Sequence, residues 1–152
     1  MNDRFKIRAW DKKRKCYIKN PEPTPLLQAN GLLAYFTNNP DAMNNYDIQF
    51  CTGLKDKNGK LIYEGDIVRI TKKRWYEETY QLYYLVCWDR TQWQLGLFKD
   101  QRPKSQENRR SDRKIAFRNI VSFEYYTPIK YFADCEVIGN IYENKSLLES
   151  EG

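Results

Sequence analysis

The stretch from Ile48 to Phe98 constrains the fold most, because it is a series of short apolar runs cut at close intervals by turn residues. The runs are IQFCTG, LKDKNGKLIY, IVRI, YQLYYLVCW and WQLGLF. Runs this short, rich in β-branched and aromatic side chains, read as strands and leave no room for a helix. Asn58-Gly59 is a tight-turn signal, since both residues tolerate positive φ, and a hairpin or bulged turn is expected there. Glu64-Gly65-Asp66 makes the next turn, and DRTQ separates the last two runs. The segment reads as an antiparallel meander.

The flanks extend this reading. RFKIRAW alternates Phe5, Ile7 and Ala9 with charged residues, the pattern of a half-buried strand, and residues 4–18 form a hairpin with a strongly basic DKKRK tip. NPEPTP (residues 20–25) has three prolines in six residues, so a linker or wrapped loop without a ladder is expected. LLAYFT (residues 32–37) is a short strand before the polar turn NNPDAMNN. Residues 99–113 hold no large apolar side chain and are expected to be a mobile excursion, while IAFRNIVSFEYY and YFADCEVIGNIY resume strand character. Only Ser146 to Ser150 could be helical, too short to stand alone. The 152 residues fit one domain. It divides into an N-terminal hairpin and irregular segment (1–45), a barrel-like core (46–143) and a short tail (144–152). Gly65 to Val68, GDIV, resembles the strand that opens many small SH3-like barrels. The expected class is mainly β, with a small SH3-like, barrel-type core, an N-terminal β-hairpin and long loops.

Chemistry is narrowed by what the chain lacks. It contains no histidine, which removes every Ser-His, Cys-His and His-metal arrangement. Cys16, Cys51, Cys87 and Cys135 form no CxxC pair, and each lies in an apolar or aromatic stretch, so reduced, buried structural thiols are expected. Asp56, Glu64, Asp66 and Asp89 could supply carboxylates to a Mg²⁺ or hydrolytic site, but all four sit beside turns, where acidic residues commonly bond to backbone amides. No catalytic, cofactor-binding or metal-ligating residue is assigned, and the reading leans away from an enzyme. A carboxylate- or metal-dependent hydrolase stands as the least favoured alternative.

Charge and aromatics point to binding. The net charge is +6, with eight basic and two acidic side chains in residues 1–20 and eight basic and three acidic in residues 99–118. Residues 20–53 and 134–152 are acidic instead, summing to −3 and −4, so a second copy of the chain could be attracted. The 12 Tyr, 7 Phe and 4 Trp exceed what one small core needs, and the adjacent pairs Tyr83-Tyr84, Tyr125-Tyr126 and Trp75-Tyr76 each put one ring outward on a strand. Outward rings fill a subunit interface or stack on bases. The expected partner is the chain itself, as a homo-oligomer, with nucleic acid or another protein as further partners. Candidate phosphate contacts are Arg109, Arg110, Arg113 and Lys114, together with the basic hairpin tip. Without an apolar leader at its start or a run of about 20 apolar residues, the chain is expected in the cytoplasm and not in a membrane.

Four blocks carry a family resemblance: FKIRAWDKKRKCYI (residues 5–18), TGLKDKNGKLIYEGDIV (52–68), VCWD (86–89) and EVIGNIYEN (136–144). In this order they resemble the YopX family of uncharacterised phage and prophage proteins, over nearly the whole chain. The departures fall in residues 20–45 and 99–113. The resemblance implies a β-rich fold with a small barrel, homo-oligomerisation and a phage origin in a bacterial host cytoplasm. It carries over no activity and no catalytic residues.

Overall fold

The structure, a computed structural model, describes residues 3, 6–18, 25–27, 33–35, 45–73, 79–89, 92–101, 115–117, 121–123, 126–128 and 134–149. The first strands are β1 (Ile7–Asp11), β2 (Cys16–Tyr17), β3 (Pro25–Leu27), β4 (Leu33–Tyr35), β5 (Tyr46–Lys55) and β6 (Leu61–Tyr63). Then follow β7 (Asp66–Lys73), β8 (Thr79–Asp89), β9 (Gln92–Asp100), β10 (Ile115–Phe117), β11 (Val121–Phe123), β12 (Tyr126–Pro128) and β13 (Glu136–Asn140). A 3-10 turn at Lys145–Leu147 takes the place of the expected helical remnant. The protein is mainly β, with two antiparallel sheets, one a half-barrel. Their strand orders are β2-β1-β5-β6 and β12-β9-β8-β7-β13, and β3-β4 and β10-β11 pair separately.

The meander appears as β7-β8-β9. Val68 faces Tyr84 and Tyr84 faces Leu97, so alternate residues of three strands build one face. That face holds Val68, Ile70, Leu82, Tyr84, Val86, Leu95 and Leu97, closed by Ile62 and Cys135. Ile67 and Leu85 point the other way, into a second cluster with Ile141, Phe98, Ile138, Tyr142, Leu147 and Leu148. Burial on both faces explains why YQLYYLVCW lacks clean alternation, and each fully buried aliphatic chain contributes about 1.5 to 3 kcal/mol. Two bulges serve this arrangement. Phe98 is the extra residue between the pairs Tyr84↔Leu97 and Tyr83↔Lys99, and Ile138 between Val68↔Val137 and Ile67↔Gly139. Each gives its side chain to the second cluster, and bulges of this kind bend a sheet.

Several expectations are corrected. Arg8, one of the charged residues that alternate with Ile7 and Ala9, is half-buried and not on a solvent face, and Trp10 on the same side is buried, because tyrosines from other elements cover that side. The hairpin is hydrogen-bonded to β5 from Ile7↔Phe50 to Asp11↔Tyr46, so it belongs to the first sheet. A ladder does reach the proline-rich segment, since Pro25 opens β3 opposite Tyr35, the one end of a strand that proline tolerates. The hairpin expected at Asn58-Gly59 is present, joining β5 to β6 with Gly59 at φ 81°. Residues 99–113 do not all leave the sheet, since Lys99 and Asp100 extend β9 opposite Tyr83 and Leu82. The rest of that excursion after Gln101, and the pair Trp75-Tyr76, lie outside the described residues. Cys51, Cys87 and Cys135 are buried free thiols, and burial pushes the Cys135 thiol up to about 11. Cys16 is exposed, because in the two-residue edge strand β2 it is Tyr17 that turns inward.

Two carboxylates fasten β13 to the turn after β5. Asp56 Oδ1 accepts from the amides of Asn58 and Lys60, both at 2.9 Å, and its Oδ2 from the amide of Val137 at 3.0 Å. Burial works to raise its pKa, but these amides outweigh burial and hold it below the ordinary value. Glu136 Oε2 lies 2.8 Å from Lys57 Nζ and 2.9 Å from Arg69 Nη2, and the hydrogen bonds from these two cations hold its carboxyl at about 2. A carboxyl whose pKa falls on folding stabilises the fold above its unfolded value, ordinarily 4.5, and that contribution is lost as pH falls toward 2. Glu136→Gln should therefore lose less urea resistance than the wild type between pH 6 and pH 3. Parallel losses would show that the triad does not contribute in solution.

Candidate binding site at the basic hairpin

The basic hairpin tip is held by its own first residue. Asp11 Oδ1 accepts from the amides of Lys13 at 2.8 Å and Arg14 at 2.9 Å, and the Lys15 amide donates to the Asp11 carbonyl at 2.9 Å. The loop closes with Lys15 at φ 56°, the left-handed region that glycine or asparagine normally occupies. Beside it lies an open cavity of about 670 Å³. Trp10 and Tyr142 are its aromatic lining, Lys12, Lys15 and Lys145 its cations, and Asp47 and Glu143 its anions. Trp10 stacks on Tyr142, with centroids 5.0 Å apart and planes 13° apart, and meets Tyr17 edge-on at 5.1 Å.

The anions are engaged within the protein. Asp47 Oδ1 holds Lys12 Nζ at 2.9 Å, and Glu143 Oε2 accepts from Asn140 Nδ2 at 2.7 Å. Asn140 Oδ1 in turn accepts from the amides of Tyr142 and Glu143, both at 3.0 Å, which fixes the turn carrying Tyr142 against the hairpin. Lys15 and Lys145 make no ion pair among the described residues, and both are exposed. The cavity thus offers, near aromatic surface, two ammonium groups without an ion pair among the described residues.

Behind this cavity a buried polar clasp joins the two sheets. Arg8 of β1 donates through Nη2 to Asp66 Oδ1, and through Nε to Gln49 Oε1 at 2.6 Å. Tyr17 also donates its hydroxyl to Gln49 Oε1, at 2.7 Å, and the Tyr63 amide donates to Asp66 Oδ2 at 2.8 Å. The guanidinium lies 4.8 Å from the Tyr17 ring centroid and 4.7 Å from that of Tyr63, a cation between two aromatic faces. Burial raises the Asp66 carboxyl above its ordinary value, against the pull of Arg8 and the Tyr63 amide. Burial likewise drives the Tyr17 phenol well above its usual range.

A second concave surface, about 330 Å³, is lined by Phe50, Cys51, Thr52, Trp88 and Trp93. Trp88 and Trp93 meet edge-on at 4.9 Å, and Trp88 is 49% exposed and Phe50 39%. Nearby on β5, Leu54 is 40% exposed.

Arg109, Arg110, Arg113 and Lys114 lie outside the described residues. Of the four carboxylates weighed for a metal, Asp56 and Asp66 spend their oxygens on backbone amides and Arg8, and only the backbone of Asp89, in β8, is described. Among the described residues no group of three or more acidic or cysteine side chains could hold a metal. Sequence reasoning missed the clasp and the pairing of the hairpin with Tyr142 and Lys145. The blocks quoted above carry most of these residues, Arg8, Trp10 and Tyr17 in 5–18, Tyr63 and Asp66 in 52–68, and Tyr142 and Glu143 in 136–144, while Gln49 and Lys145 lie outside them.

Residues of three of the four blocks thus meet in one place. The family model described as YopX protein matches residues 6–149. The chain belongs to the YopX family. The chain is also similar to the crystal structure of protein EF1440 from Enterococcus faecalis, at 25% identity and a TM-score of 0.53. That alignment covers 95% of this chain and 97% of the other. No curated protein matches the chain. Among the described residues, no helix is long and apolar enough to cross a membrane.

Proposed function

We propose that this YopX-family chain is a non-catalytic binding module that works as a homo-oligomer, a phage accessory protein acting in the cytoplasm of the bacterial host. The observation that carries the reading is the aromatic groove formed by Phe50, Trp88 and Trp93. Exposed indole and phenyl rings gathered in a concavity are the usual anchors of protein interfaces. A second copy is the occupant that charge favours, because it brings acidic residues 134–152 as well as basic residues 1–20. The engagement of Asp56 and Asp66 in structural hydrogen bonds supports a non-catalytic role.

Light scattering at micromolar concentration should return a multiple of 18.3 kDa, and Trp88→Ser should shift it toward the monomer. A wild-type mass of one chain at both low and high salt overturns self-association.

A further inference from the structure

We infer that the cavity between the basic hairpin tip and the Tyr142 turn is a binding site for a nucleoside phosphate, as a free nucleotide or as part of a single strand. This rests on the reading of the chain as a binding protein and does not require self-association. The cations come first. Lys12 is matched by Asp47, but Lys15 and Lys145 line the same space without an ion pair among the described residues. The loop carrying Lys15 adds Lys13 and Arg14, and Arg14 is 3.8 Å from Asp11, whose carboxylate already accepts two backbone amides. Even with the exposed carboxylate of Glu143 in the lining, cations outnumber anions at the cavity mouth, and a phosphate is the anion that takes bonds from several ammonium groups at once.

Backbone conformation points the same way. A lysine with φ 56° occupies a position where glycine would be unstrained, so a merely solvated loop gains nothing from lysine there. A lysine whose ammonium reaches a ligand does. The aromatic lining then selects among anions. Tyr142, half-buried and backed by the buried Trp10 and by the Asn140 bonds, is the fixed ring that the cavity offers to a base, as aromatic side chains do on single-strand binders. A volume of about 670 Å³ admits a nucleotide.

Calorimetric titration with ADP, with an eight-residue oligothymidylate and with inorganic phosphate tests the site. ADP or the oligonucleotide should bind saturably, and inorganic phosphate about tenfold or more weakly, because it has no ring. The arms separate the sources: tighter binding of the oligonucleotide, weakening with salt, assigns a strand, and preference for ADP assigns a free nucleotide. Lys15→Gly combined with Lys145→Ala should weaken binding about tenfold or more, since two charge-assisted contacts are lost. Lys15→Gly alone should raise the melting temperature while it weakens binding, a combination that a structural lysine would not give. Absence of wild-type binding to both ADP and the oligonucleotide overturns the site. So does unchanged affinity in the double variant, or inorganic phosphate binding as tightly as ADP.

Discussion

Arg8→Met should destabilise the fold by about 3 to 5 kcal/mol, the usual consequence of leaving one member of a buried ion pair without its partner. Arg8 is held by Asp66 and Gln49 and lies between the rings of Tyr17 and Tyr63, and Asp66 is fully buried. Methionine fills much of the space of the arginine stem but offers Asp66 no charge. The pH dependence carries a sign that identifies the cause. Burial already raises the folded-state pKa of Asp66 above 3.8, and removing the guanidinium raises it further. A carboxyl whose pKa rises on folding favours the fold below its unfolded value and loses that advantage as pH climbs through the folded one. The deficit of Arg8→Met relative to wild type should therefore be smallest near pH 4 and grow toward pH 7. Adding Asp66→Asn should restore part of the loss, since asparagine removes the stranded charge and keeps an oxygen for the Tyr63 amide. Urea midpoints at the two pH values decide this, and a deficit independent of pH with no rescue by asparagine would mean that packing alone holds the clasp together.

The same clasp shows how far the sequence could be read. Strands β5 to β9 were legible because short apolar runs, rich in β-branched and aromatic side chains, are cut by turn residues, with glycine at the turns at Gly59 and Gly65. The hairpin β1-β2 and its basic tip were legible for the same reason. Arg8 was not. Alternation with Ile7 and Ala9 assigns it to solvent, and only Asp66, 58 residues away, makes its burial favourable. Nor could the bulges at Phe98 and Ile138 be read, since an extra residue in a ladder is defined by its partner strand and not by its neighbours. The binding cavity failed on distance as well: Lys15 and Lys145 lie at opposite ends of the chain, and net charge by segment cannot show that an acidic tail contributes a lysine to a basic site.

Gly65→Ala should cost about 3 kcal/mol or more, because three costs fall on one atom. Gly65 has φ 78°, and left-handed geometry alone costs a residue with a side chain about 1 to 2 kcal/mol. An added Cβ would overlap Gln49 Nε2 and come within 3.1 Å of Ile141 Cδ1. Gln49 is the end of a flexible side chain, yet it is buried and its Oε1 is held by Arg8 and Tyr17, so moving it breaks two bonds of the clasp. The backbone cannot yield instead, since the Gly65 amide donates to the Val86 carbonyl at 2.8 Å and its carbonyl accepts from the Ile141 amide at 3.0 Å. Gly59 supplies the control. Its φ is 81°, nearly the same, but a Cβ there meets nothing within 4 Å, so Gly59→Ala should cost only the backbone share, about 1 to 2 kcal/mol. Chemical denaturation of the two variants side by side isolates the steric cost at Gly65, and equal losses would show that Gln49 is free to move and that the clasp is looser than its hydrogen bonds imply.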